Sequence, residues 1–240
     1  MREKIIIALD VENEAEALSL VAGLRGLAGA FKIGLQLFSS CGPSIVRKVA
    51  AGGGKVFLDL KFHDIPNTVA RAAEAAVETG AWMLNFHAAG GKKMMSEAAA
   101  AARRRAGEIG TQAPLLLGVT VLTSMSEQEL QQEGGVSRTL TEQVTALAVL
   151  CREAGLDGVV AAGPEIPWIR RACGSRFIIV TPGVRPAWSA PNDQQRIVTP
   201  QQALALGADY IVVGRPVTAA PDPRAAAELL LREAGMEKLC

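Results

Sequence analysis

The sequence predicts a single-domain α/β fold, a (β/α)8 TIM barrel, from three observations. Eight short apolar runs alternate with longer amphipathic, alanine-rich segments, the pattern of parallel strands covered by crossover helices. A helix, glycine, strand unit recurs along the chain. The length of 240 residues is close to that usual for the architecture. A doubly wound sheet is the structural alternative, weakened because no GxGxxG motif opens the first helix.

In chain order the runs are "KIIIALD" from Lys4, "AFKIGLQ" from Ala30, "KVFLDLKF" from Lys55, "WMLNFHA" from Trp82, "LLLGVTVLT" from Leu115, "DGVVAA" from Asp157, "RFIIVTPG" from Arg176 and "DYIVVGRP" from Asp209. Gly80, Gly155 and Gly207 stand shortly before the fourth, sixth and eighth runs, suited to the left-handed position that ends a helix. "TPQQALALG" starts a helix with Thr199 as N-cap and Pro200 at the first helical position. No linker-like stretch divides residues 1–240, which read as one catalytic domain. Residues 123–136 and 184–198 read as the longest irregular pieces. Both follow strands, on the C-terminal face where loops of such barrels carry function.

At 49% hydrophobic, 20% charged and a formal net charge of +1, the chain can bury a large core. It shows no basic footprint for nucleic acid, and the triplet Arg103, Arg104 and Arg105 reads as solvating a helix end. Cys41, Cys151, Cys173 and Cys240 form no CxxC pair, and with two histidines there is no zinc-like ligand set. A reduced, cytoplasmic protein is expected. The apolar run after "MREK" is too short for a signal-peptide core or a membrane span.

The third run carries the chemistry. Burying ionised groups in an apolar strand costs several kcal/mol each unless they are paired, so Asp59, Lys61 and the following Asp64 need a reason. Strand alternation puts Phe57, Asp59 and Lys61 on the inner face and Val56, Leu58, Leu60 and Phe62 against the helices. Lys32 falls at the same rim if the second strand spans residues 30–36, and the first strand ends at Asp10. Two charges on one strand read equally well as a structural ion pair. Four or five converging on one rim favour a site. His63 and His87 read as structural, with His87 and Asn85 the better placed to line a site. Met94 and Met95 read as packing, while Trp188 in the 184–198 loop either covers a ligand or packs on the rim.

After the seventh and eighth runs come "TPGVRP", with Gly183 and Arg185, and "VVGRPV", with Gly214 and Arg215. Glycine lets backbone N–H groups approach a phosphate, and arginine clamps its oxygens. These two loops are the recurrent phosphate site of the fold. Taken singly each motif reads as turn chemistry; together, in that place, they point to a phosphorylated ligand.

With these residues in view, the chain resembles the orotidine 5'-phosphate decarboxylase family. "DLKFHDIPNT", Asp59 to Thr68, is very similar to that family's signature, and the likeness runs from "ALD" at Ala8 to "GRPVT" ending at Thr218. The resemblance implies conversion of orotidine 5'-phosphate to UMP and CO2, the last step of UMP synthesis, without metal, flavin or pyridoxal phosphate. It implies that Lys32, Asp59, Lys61 and Asp64 form an alternating charge network, with Asp64 and Thr68 reaching into the neighbouring site of a homodimer. Asp10 would bind ribose hydroxyls with Lys32, Thr123 would lie beside the pyrimidine, and Arg185, Gln194, Gly214 and Arg215 would surround the phosphate. Either Ser124 or Ser126 would contact the base.

For that reaction the electron pair left at C6 needs a fixed cation that can also deliver a proton, and Lys61 is the residue expected to do both. Asp59 would face the departing carboxylate. Two rivals stand beside this reading. Magnesium-dependent sugar-phosphate barrels also use a DxKxxD strand but resemble one another in a glutamate ligand on the second strand, where this chain has Lys32, which repels a divalent ion. A non-catalytic nucleotide-binding barrel would have no use for an intact Asp59, Lys61 and Asp64.

Overall fold

The computed structural model describes residues 2–189 and 196–235. The eight runs form β1 (Ile5–Ala8), β2 (Ala30–Gly34), β3 (Val56–Phe62), β4 (Met83–His87), β5 (Leu115–Val119), β6 (Gly158–Val160), β7 (Ile178–Thr181) and β8 (Tyr210–Val213). Each pairs in parallel with the next, and β8 pairs with β1 to close the barrel. The (β/α)8 expectation holds.

Both faces of these strands are covered, which is why they read as continuous apolar runs. Ile5, Ile7, Ile33, Leu58 and Leu84 pack outward against the helix ring. Ile6, Ala8, Phe57, Met83, Leu117, Val119, Val180 and Val212 pack inward as a second apolar cluster. Trp82 and Tyr210 meet edge to face at 5.4 Å. Together with Leu115 and Ile178 they pack against the inner cluster from the N-terminal ends of the strands. The barrel is thereby filled from below, leaving its C-terminal mouth for polar groups.

Local signals in the sequence account for most boundaries. Gly80, Gly155 and Gly207 have φ of +82°, +82° and +107°, the left-handed conformation in which a helix stops and the chain turns toward the next strand. Thr199 caps the helix Pro200–Leu206 and forms a capping box with Gln202. Residues 123–136, expected to be irregular, contain the helix Glu127–Gln132. Ser126 and Glu129 form its capping box, a start signal that the polar composition of the stretch obscured.

Arg103, Arg104 and Arg105 do more than solvate a helix end. They bridge Asp157 at 3.0 Å, Glu74 at 2.5 Å and Glu78 at 2.7 Å, tying the helix Gly91–Glu108 to its neighbours. Such exposed pairs contribute little individually. Met94 and Met95 are fully buried packing residues. Cys41, Cys151 and Cys173 are free thiols. Among the described residues no helix is long and apolar enough to cross a membrane.

Gly118 on β5 marks a close approach of helix to strand: a Cβ there would lie 2.1 Å from Cys151 Sγ. Gly118→Ala should therefore lower stability by about 1–3 kcal/mol in urea titrations, and adding Cys151→Ala should restore part of the loss. A Gly118→Ala protein as stable as the parent would contradict this packing.

Candidate active site

The charged groups meet where the early strands end. Lys32 leaves the inner face of β2, Asp59 and Lys61 leave β3, and Asp10 follows β1 by two residues. Lys32 Nζ lies 3.0 Å from Asp10 Oδ1 and 3.4 Å from Asp59 Oδ2. Lys61 Nζ lies 2.8 Å from Asp59 Oδ1. The result is an unbroken alternation of anion and cation, Asp10, Lys32, Asp59, Lys61.

Burial alone would push the Asp59 carboxyl up, but the Lys32 and Lys61 charges and hydrogen bonds from Lys61 and Asn85 outweigh it and hold it below the usual carboxylate range. Burial alone would likewise push Lys32 down, and Asp59 and Asp10 outweigh it, holding the ammonium above its usual range. Gly34 makes room for this contact. A Cβ on it would stand 2.8 Å from Lys32 Nζ.

β3 reaches this arrangement by leaving regular strand geometry. Leu58 pairs with Leu84, yet Phe62 pairs with Phe86, so β3 holds two residues more than β4 over that interval. Leu58, Leu60 and Phe62 still pack toward the helices, as alternation predicts. Lys61, however, has φ +50°, the one positive value among described non-glycine residues. For a residue with a Cβ this costs on the order of 1–2 kcal/mol. The side chain of fully buried Asn85 on β4 holds the irregularity: its Oδ1 accepts from the Lys61 N–H at 2.8 Å, and its Nδ2 donates to Asp59 Oδ1 at 2.7 Å.

Two cavities adjoin at the mouth, sharing Lys32, Pro182 and Val212. One, of about 140 Å³, is lined by Asp59, Lys61 and Thr123 among apolar side chains of β5, β6 and β8. The other, of about 210 Å³, is lined by Asp10, Gly183, Arg185, Gly214 and Arg215. Val184 and Val198 pair as an isolated bridge, and the Arg185 N–H donates to the Val198 carbonyl at 2.9 Å, so the loop after β7 is pinned at its base. Asp10, Lys32, Asp59, Lys61, Thr123, Arg185, Gly214 and Arg215 are thus brought to one mouth. Gln194 lies outside the described residues.

Other expected residues fall elsewhere. Asp64 and Thr68 are exposed, and Asp64 Oδ1 accepts from the Ile65 N–H at 2.6 Å rather than joining the charge chain. The Ser126 hydroxyl is committed to Glu129 at 2.7 Å, which leaves Ser124 the freer of the two serines. His63 and His87 stack with ring centroids 5.1 Å apart. Burial, then His63 and Lys61, push the His87 pKa down and favour the neutral ring. Trp188 remains 44% exposed, so it does not pack fully on the rim.

The sequence reading missed Arg196 and Glu165. Their buried ion pair lets Arg196 donate to the Leu122 carbonyl at 2.6 Å and to that of Thr123 at 3.4 Å, bracing one cavity wall. A lone glutamate after the short apolar run of β6 was the available signal.

A closed parallel barrel with charged side chains at its C-terminal mouth defines an enzyme of the (β/α)8 class. The profile of the orotidine 5'-phosphate decarboxylase / HUMPS family matches residues 3–230, and the chain belongs to that family. Orotidine 5'-phosphate decarboxylase of Moorella thermoacetica is 55% identical over 99% of this chain and 94% of its own length. That of Syntrophotalea carbinolica is 55% identical over 97% and 95%. The crystal structure of orotidine 5'-phosphate decarboxylase from Lactobacillus acidophilus superposes with a TM-score of 0.85 at 37% identity, covering 96% of this chain and 98% of that one.

Two consequences of the charge chain are measurable. Gly34→Ala should lower kcat/KM about tenfold by displacing Lys32 Nζ, with little change in thermal midpoint because the displaced group is the mobile end of a side chain; an unchanged kcat/KM would contradict the contact. The depressed Asp59 pKa contributes stability that is complete above the usual value of 3.8 and is lost as pH falls through the folded value. Asp59→Asn should therefore be less stable at neutral pH and show a shallower loss in acid, whereas parallel acid limbs would remove Asp59 from the account.

Proposed function

We infer that this protein decarboxylates orotidine 5'-phosphate to UMP and CO2, a step of pyrimidine nucleotide synthesis and the activity for which its relatives are named. The observation that carries the reading is the Lys32, Asp59, Lys61 alternation set against a cavity lined by Gly183, Arg185, Gly214 and Arg215. The C6–CO2 bond breaks with its electron pair left on C6, where the pyrimidine ring cannot easily delocalise it. The Lys61 ammonium faces that pair in a cavity walled largely by apolar side chains and then gives C6 its proton. Asp59 holds Lys61 and Lys32 in place and faces the departing carboxylate.

The phosphate fits the 210 Å³ cavity, where Arg185 and Arg215 supply charge and Gly183 and Gly214 allow close backbone approach. Asp10 with Lys32 takes the ribose hydroxyls, and Thr123 lies beside the base. Binding energy from the phosphate is used at the transition state. Gln194 belongs to the same phosphate set. Lys32 Nζ occupies the space between Asp10 and Asp59 where a divalent cation would have to sit, which favours this chemistry over the magnesium-dependent alternative.

The working unit is a homodimer in which Asp64 and Thr68 complete the neighbouring site. Three features support this: Asp64 stands apart from its own charge chain, Ile65 is 67% exposed, and Leu35 after β2 is 58% exposed, leaving apolar surface beside the mouth. Free thiols and a nucleotide substrate suit a cytoplasmic enzyme, with all 240 residues acting as one catalytic domain.

Loss of orotidine monophosphate absorbance after EDTA treatment tests the activity. Wild type should turn over undiminished, and Lys61→Ala should be slower by about 1,000-fold or more. No conversion by folded wild type, or activity restored only by Mg2+, would overturn the reading. Mixing inactive Lys61→Ala with inactive Asp64→Ala should regenerate activity, because each mixed dimer then holds one site with both residues intact. Mixtures that stay inactive after verified subunit exchange would overturn the shared site.

A further inference from the structure

We propose that Asn85 is the positioning residue that sets the Lys61 ammonium in place for proton delivery. The proposal rests on the reading of Lys61 as the group beside the reacting carbon. Asn85 does not line the cavity, so it acts through Lys61 and Asp59.

The register explains why such a residue is needed. Between the pairs Leu58 with Leu84 and Phe62 with Phe86, β3 passes three residues, Asp59 to Lys61, opposite the single residue Asn85. A bulge of this kind leaves backbone groups of the longer strand without ladder partners. The Lys61 N–H is such a group, and Asn85 Oδ1 accepts from it at 2.8 Å. The other end of the same amide donates to Asp59 Oδ1 at 2.7 Å, the oxygen that also accepts from Lys61 Nζ at 2.8 Å.

One side chain therefore fixes the lysine at both ends: its backbone at φ +50° and, through Asp59, its ammonium. The orientation of the amide is determined by its partners. Turned over, it would set an NH2 against the Lys61 N–H and an oxygen against a carboxylate. The backbone of Asn85 is held in register opposite Leu117 of β5, which places the amide on a rigid support.

Chemistry narrows the residue type. Serine is too short to reach both partners, leucine would leave a buried N–H unsatisfied, and aspartate would set a second anion against Asp59. Histidine or lysine would offer a donor to Asp59 and nothing of the right shape to the Lys61 N–H. Asparagine meets both demands.

The test compares Asn85→Ala, Asn85→Asp and Lys61→Ala by kcat, UMP affinity, thermal midpoint and the pH profile of kcat. Asn85→Ala should lose about 100-fold in kcat while UMP affinity, set largely by the adjoining phosphate cavity that Asn85 does not line, stays within about threefold. Asn85→Asp keeps the side-chain size and the acceptor for the Lys61 N–H, so it serves where the alanine variant fails to fold. It should be slow, with its acid limb moved to higher pH because Asp59 loses a donor and gains a neighbouring anion. Wild-type kcat and an unmoved acid limb in a folded Asn85 variant, alongside an inactive Lys61→Ala, would overturn the role of Asn85 alone. An active Lys61→Ala would overturn the lysine reading and this proposal with it.

Discussion

A carboxylate buried at the mouth of an apolar barrel must be surrounded by donors or it will not remain ionised, and Asp59 is such a carboxylate. Its two oxygens take Lys32 from β2, Lys61 from its own strand and the Asn85 amide from β4. Three neighbouring strands are thereby tied at the end where the barrel opens. Each cation is placed by the same group, so the position of the Lys61 ammonium follows from the satisfaction of one anion.

The remainder of the fold serves that constraint. Parallel pairing brings β2, β3 and β4 side by side with their C-terminal ends at the same mouth, and the apolar inner cluster closes the barrel below the charges. Little water can then reach Asp59 from beneath, which strengthens its interactions with both lysines. The two extra residues in β3 let that strand present Asp59 and Lys61 inward while Leu58, Leu60 and Phe62 keep their hold on the helices. Backbone strain at Lys61 is set against the two hydrogen bonds that its position makes possible, from its N–H to Asn85 and from its ammonium to Asp59.

The strands were legible because parallel strands buried on both faces have little sequence freedom, and each of the eight runs became one. The charged rim was legible for the converse reason: Asp59 and Lys61 break an apolar run and need partners. What alternation alone did not reveal was the bulge, since a register shift of two residues returns every side chain to its expected face and leaves no trace in the pattern. Arg196 and Glu165 were hidden because their pairing joins loops far apart in the chain. The helix Glu127–Gln132 was missed although its serine and glutamate capping signal was present.

The central claim is that the Lys61 ammonium faces C6 and is the proton donor to it. By microscopic reversibility the same lysine must remove the C6 proton of the product. The most direct measurement is deuterium exchange at C6 of 5-fluoro-UMP in D2O, followed by NMR, since the fluorine eases carbanion formation. The account predicts exchange catalysed by wild type and abolished in Lys61→Ala while the ligand still binds. Exchange that continues undiminished without the lysine would contradict it and place the proton donor elsewhere in the mouth.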